Sequence, residues 1–207
     1  MFAALTSASG IAGVVMLIVS FSINPGPPPN ATNDQLIAFG EQYYTSILWG
    51  AWLQAVGPLL IVLFAFAIVF LAGGTSSLAG WMTLLGGGVL MMVSLTEVMF
   101  YIGALFGSDA TTMGNLIHSV QHLYFIIGAP ALFLPLGAVI LGSKVLPRVL
   151  GYSALLLGLA FAALGTVFLY ALVLPFEVTA FAGIQVFWWL AAGIVLISRS
   201  AKQPRVQ

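Results

Sequence analysis

Glu97, Tyr101, His118, Gln121 and His122 lie within Ser94 to Phe125, a stretch that is otherwise almost wholly apolar. A carboxyl, a phenol, two imidazoles and an amide can together carry a proton, hold a cation or ligate a metal. The stretch divides at a short turn, Gly107-Ser108-Asp109-Ala110, which predicts a helical hairpin with Asp109 at its tip. Glu97 stands 12 residues before Asp109 and His122 13 after it; Tyr101 stands 8 before and His118 9 after. At a rise of about 1.5 Å per residue, Glu97 should face His122, and Tyr101 should face His118, at matching depths. Ser94, Glu97 and Tyr101 share one helical face by the i, i+3, i+7 rule, and Asn115, His118 and His122 share another. Helices packed about 8–10 Å apart bring such side chains within reach of each other. Gln54 and Gln185, in other apolar segments, should lie at a comparable depth and complete the shell.

Several chemistries fit this set. His118 and His122 as an i, i+4 pair, with Glu97 as third ligand and water as fourth, would form the two-histidine, one-glutamate pattern of a catalytic zinc or other divalent metal site. The intervening residues, Ser119-Val120-Gln121, exclude the HExxH arrangement. Haem is disfavoured, because a histidine pair must ligate from opposite sides of the ring and these two, the only histidines in the chain, share one helical face. A proton-coupled transport site, or a pocket for a quinone-like or other lipophilic ligand, would use the same residues, with Trp52, Tyr101, Tyr124, Phe187, Trp188 and Trp189 suited to a flat molecule. The plainest alternative is a hydrogen-bonded network that fixes helix packing, as in a structural subunit of a larger complex. Such bonds are worth only about 0.6 kcal/mol each on average, whereas a charged side chain at the bilayer centre costs about 2.5–3.5 kcal/mol. Whether the chain is an enzyme is left open.

The elements that position these residues follow from composition. Of 207 residues, 61% are hydrophobic and 5% charged, too apolar a chain to hide its hydrophobic groups in a water-soluble core. The expected class is an all-α integral membrane protein. Five Lys+Arg balance five Asp+Glu, so there is no basic stripe for nucleic acid, and the absence of cysteine removes disulfides, thiolate metal sites and Cys nucleophiles.

Six membrane-spanning segments are predicted in one domain, over about 3–23, 34–71, 78–106, 112–141, 148–174 and 178–197. Segment 1 lacks a basic start and an A-x-A-like site, and so reads as a retained span. The Pro-rich run 24–33 should be an extracytoplasmic loop. Asn33-Asp34 offer N-cap chemistry for segment 2, which outlasts the bilayer, carries an interfacial belt of Tyr43, Tyr44, Trp49 and Trp52, and should kink at Gly57-Pro58. Segment 4 is interrupted by Pro130 and Pro135, and segment 5 should end near Leu174-Pro175. Lys144 and Arg148 between segments 4 and 5, and Arg199, Lys202 and Arg205 in the tail 198–207, are all the basic residues; they share one side of a six-span chain, which should be cytoplasmic, with both termini inside.

Gly80-Trp81-Met82-Thr83-Leu84-Leu85 echoes Gly151-Tyr152-Ser153-Ala154-Leu155-Leu156, and Gly57-Pro58 echoes Ala129-Pro130, which suggests that segments 2–3 and 4–5 are duplicated hairpins. Ala154, Gly158 and Ala162 form a small-residue ladder, and Gly86-Gly87-Gly88 thins segment 3; both permit close helix contact, within the bundle or across a homodimer. The Lys144/Arg148 loop leading into Leu146-Pro147-Arg148-Val149-Leu150-Gly151 resembles a helix start found in small multi-pass membrane proteins of bacteria. The resemblance implies a bacterial inner-membrane location and brings no activity or site residues with it. The expected partners are therefore the lipid bilayer and a small lipophilic ligand or ion.

Overall fold

The computed structural model describes the backbone of residues 2–24, 27, 31–107, 109–169, 180–181 and 183–202, with side chains for all of these but 2–4 and 200–202. The expected end of segment 5 near Leu174-Pro175, the start of segment 6, Arg205 and most of the Pro-rich loop fall outside the described residues. Among the described residues the chain is helical throughout, without a strand: α1 (Phe2–Ile23), α2 (Asn33–Gln42), α3 (Tyr44–Leu71), α4 (Leu78–Phe106), α5 (Ala110–Leu123), a π-helical turn (Tyr124–Gly128), α6 (Ala129–Leu141), α7 (Arg148–Val167) and α8 (Ile184–Lys202).

Five helical stretches are long and apolar enough to cross a membrane: Leu5–Ile23, Tyr44–Leu71, Leu78–Phe106, Ala110–Leu141 and Arg148–Val167. The apolar part of the last helix, Ile184–Arg199, is shorter. Large apolar side chains cover the outside at every level, from Leu78, Trp81 and Tyr152 to Met92, Leu156, Trp49 and Phe106. So continuous an apolar exterior suits a lipid solvent and not water, which makes this a multi-pass membrane protein. Inside, an aromatic core of Phe64, Phe125, Phe133, Phe161, Trp188 and Trp189 joins α3, the π turn, α6, α7 and α8, with Phe133 stacked on Phe161. Trp188 satisfies its indole N–H on the Leu150 carbonyl at 3.0 Å and the Ser153 hydroxyl at 3.1 Å.

Segment 2 is two helices and not one. The chain turns at Tyr43 (φ −107°, ψ 17°), so that α2 is a separate ten-residue helix with no buried residue. Its N-cap is Thr32, one residue before the expected Asn33-Asp34, because Thr32 and Gln35 close a capping box: the Gln35 N–H reaches the Thr32 hydroxyl at 3.3 Å and the Thr32 N–H reaches Gln35 Oε1 at 2.9 Å. Asn33 Oδ1 in turn accepts the Thr111 N–H at 3.3 Å, tying the start of α2 to the start of α5. At the opposite end, Arg199 Nη1 donates to the carbonyls of Lys144 (2.7 Å) and Val145 (3.0 Å), so the basic loop and the basic tail occupy one end of the bundle.

Small residues set the helix separations. A Cβ on Gly86 would collide with the Ala131 carbonyl, so α4 and α6 touch backbone to backbone there. Gly13 of α1 and Gly57 of α3 meet in the same manner. The small-residue ladder is used within the bundle, where Ala154 is fully buried and Gly158 packs on Leu134 of α6. The echoed prolines are accommodated differently: α3 continues as α-helix through Pro58, whereas Pro130 follows a π turn.

Candidate functional site

The π turn organises the site. Pro130 has no N–H to offer the carbonyl of Ile126, and the backbone widens just upstream, with the Ala129 N–H bonded to the Tyr124 carbonyl five residues back. Gly165 of α7 lets that helix pack directly on the widened backbone, since a Cβ there would stand 2.9 Å from the Ile126 nitrogen. Tyr124, the first residue of the turn, thereby reaches across to α8, and its hydroxyl donates to Gln185 Oε1 at 2.5 Å.

On the facing side, Glu97 of α4 accepts two hydrogen bonds: from Gln54 Nε2 of α3 at 2.9 Å onto one carboxyl oxygen, and from Gln121 Nε2 of α5 at 3.2 Å onto the other. The carbonyl end of Gln121 lies 3.4 Å from His118 Nδ1, a long hydrogen bond when that nitrogen carries the proton. Glu97, Gln54, Gln121, Gln185 and Tyr124, together with Ser94, line one cavity of about 310 Å³. Its remaining described walls are apolar and come from α1 (Leu17, Phe21), α3 (Pro58, Ile61), α4 (Leu90), the π turn (Phe125), Ala180 and Gly183, and the start of α8 (Val186, Trp189). Among the described residues α1, α3, α4, α5, the π turn and α8 converge on it, and α7 does not.

Four of the seven residues nominated from sequence, Glu97, Gln54, Gln121 and Gln185, thus meet at the cavity, and three, Tyr101, His118 and His122, are not among its lining. The pairing of Glu97 with His122 is not formed. The hairpin register is shifted by one residue, with Glu97 opposite Gln121, and one residue turns a helix by about 100°. His122 consequently points elsewhere, and both of its ring nitrogens are buried without a hydrogen-bond partner. Tyr101 and His118 likewise make no bond to each other. The ligand set His118, His122 and Glu97 expected for a metal is not gathered: among the described residues no three His, Asp or Glu side chains come together in a way that could hold an ion.

In the sequence Ser94 stands out only as a member of the Glu97 face, and Tyr124 only as one of several aromatics. Tyr124 had a usable signal, because it stands three residues after Gln121 and so shares its helical face. No family model, curated protein or solved structure matches the chain.

Proposed function

We propose that the cavity is a binding site for a small lipophilic ligand or ion, set in the outer half of a six-span bundle of the bacterial inner membrane with both termini in the cytoplasm. The observation that carries the reading is the presentation of the Glu97 carboxyl, held between two glutamine amides, to a 310 Å³ space that is otherwise largely apolar. A cavity of that size, apolar with a few converging polar groups, is the usual form of a small-molecule site. The sixth span of this reading is assigned to α8, whose apolar part, Ile184–Arg199, is shorter than the other five. The orientation is supported by the shared position of Lys144 and Arg199 at one end, and by Asp34, Glu41 and Asp109 around the other.

The competing reading makes Gln54, Glu97 and Gln121 a tie between α3, α4 and α5 and nothing more. Two intramembrane bonds at about 0.6 kcal/mol each fall short of the about 2.5–3.5 kcal/mol that a charged carboxyl costs at that depth. An amide at residue 97 would tie the same helices more cheaply. The test is a thermal-shift titration of protein in lipid nanodiscs with small apolar molecules bearing one polar group (a short-chain quinone, a fatty alcohol, an aromatic amine). At least one class should stabilise the wild type and fail to stabilise Ser94→Phe or Leu90→Trp, each of which fills the cavity. Stabilisation that is equal in wild type and in both filled variants would refute the site.

A further inference from the structure

The cavity's chemistry specifies more than lipophilicity. We infer that its ligand is a small organic cation, an alkylated or aromatic ammonium, seated with its charge against Glu97 and its apolar groups against Tyr124, Phe125 and Trp189. The inference rests on the cavity being a ligand site, as proposed above.

Three observations lead to it. First, both carboxyl oxygens of Glu97 accept amide N–H groups, from Gln54 and from Gln121, an arrangement that supports a carboxylate better than an acid, whose O–H would need an acceptor. Second, among the described residues nothing of opposite charge is built in to balance it. Lys144, Arg148 and Arg199 lie at the far end of the bundle, and the described titratable groups that face Glu97 from the packed elements are two phenols, Tyr101 and Tyr124, with His118 reached only through Gln121. A carboxylate in an apolar interior without a partner is strongly unfavourable, so the site must draw a positive charge from outside, either a proton or a cation. Third, the walls favour the organic cation over a metal ion. A hard divalent ion wants six or more oxygens, or several carboxylates, and Glu97 is the one carboxylate among the described lining residues. An ammonium carrying apolar substituents instead needs one negative charge, aromatic surface and an apolar surround, which are what Glu97, the three rings and Leu17, Ile61, Leu90 and Val186 supply. Gln185, whose carbonyl already accepts the Tyr124 hydroxyl, holds that ring against the space.

The volume limits the ligand's size. At about 30 Å³ for each water displaced, 310 Å³ corresponds to about ten waters, a ligand of about one ring and a substituted ammonium. Because proton and ligand compete for the same carboxylate, a cation that binds a protonated site displaces the proton, and acid should weaken binding.

The test uses benzyltrimethylammonium and its uncharged isostere neopentylbenzene, alike in shape and different in charge, titrated into full-length protein in nanodiscs at pH 8 and pH 5. The cation should bind the wild type more tightly at pH 8 than at pH 5, and lose tenfold or more in affinity in Glu97→Gln, which keeps the shape and hydrogen-bonding capacity of the site. Neopentylbenzene should bind wild type and Glu97→Gln alike at both pH values. Melting of Glu97→Gln at or above the wild-type temperature secures the comparison against misfolding, and Tyr124→Leu serves as a second variant, expected to weaken the cation several-fold more than the isostere. Binding of the isostere with no preference for the cation overturns the charge inference and leaves the cavity reading standing. Failure of both ligands to bind in a manner that Ser94→Phe blocks overturns both.

Discussion

Gln121 Nε2 donates to the Glu97 carboxyl across 3.2 Å, in the position that His122, one residue further along α5, would occupy if the two hairpin helices were turned by one residue. Two neighbouring residues of similar polarity are thereby given opposite environments. Gln121 bridges Glu97 and His118, while His122 has both nitrogens buried and unpaired.

Substitution at these two positions should therefore diverge. His122→Leu removes an unsatisfied polar ring, whose burial costs about 1–3 kcal/mol, and should leave the melting temperature in detergent unchanged or raise it. Gln121→Leu strips one of the two donors from a buried carboxyl and should lower it. Equal losses in the two variants would mean that His122 has a partner and that the register is wrong.

Much of the architecture was legible in the sequence. The helical class, five of the apolar spans and the hairpin at Asp109 follow from composition and turn residues. The rotation of α5 did not follow. In water an apolar stripe tells which way a helix faces, but lipid tails are as apolar as Leu, so Ile117 and Val120 carried no visible instruction to point inward. The π turn was hidden for another reason: Pro130 announces a broken hydrogen bond, yet whether the chain kinks, as a proline alone would suggest, or widens, as it does before Pro130, depends on α7 packing against it. The break at Tyr43 carries no sharp stop signal in the sequence, since Gln42-Tyr43-Tyr44 contain neither Gly nor Pro.

Backbone contact between α4 and α6 should make two nearby glycines unequal. Gly86→Ala drives a methyl into the Ala131 carbonyl and should destabilise by about 1–3 kcal/mol in detergent unfolding, as overpacking does. Gly88→Ala meets nothing within 4 Å and should be neutral or mildly stabilising. Equal effects would place α4 and α6 further apart than described.

The orientation is checked with single cysteines, available because the chain has none of its own. Glu41→Cys should react with a membrane-impermeant maleimide in intact cells. Lys144→Cys, whose carbonyl contact with Arg199 survives the substitution, should react only after permeabilisation. The reverse pattern would invert the topology.

Asp109 caps α5 from outside the spans. Hydrogen bonds from the Thr112 hydroxyl (2.5 Å) and then the Thr112 N–H (2.9 Å) hold its carboxyl below the usual carboxylate range. A carboxyl lowered in this way stabilises the folded helix end above the ordinary carboxylate pKa of about 3.9, and the contribution disappears as pH falls through the lowered value. Amide exchange over the first turn of α5 should therefore show excess opening on acidification, and Asp109→Asn should abolish that pH dependence. An identical acid response in Asp109→Asn would assign the effect to another group.

The central claim, that the Glu97 carboxyl faces an accessible cavity and is not sealed between helices, is tested most directly by dicyclohexylcarbodiimide, an apolar reagent that adds covalently to carboxyl groups within membranes. Mass spectrometry of labelled protein in nanodiscs at mildly acidic pH should place the adduct on Glu97, at a level that Ser94→Phe and Leu90→Trp reduce at least tenfold. An unmodified Glu97, or labelling that both cavity-filling variants leave untouched, would contradict the account.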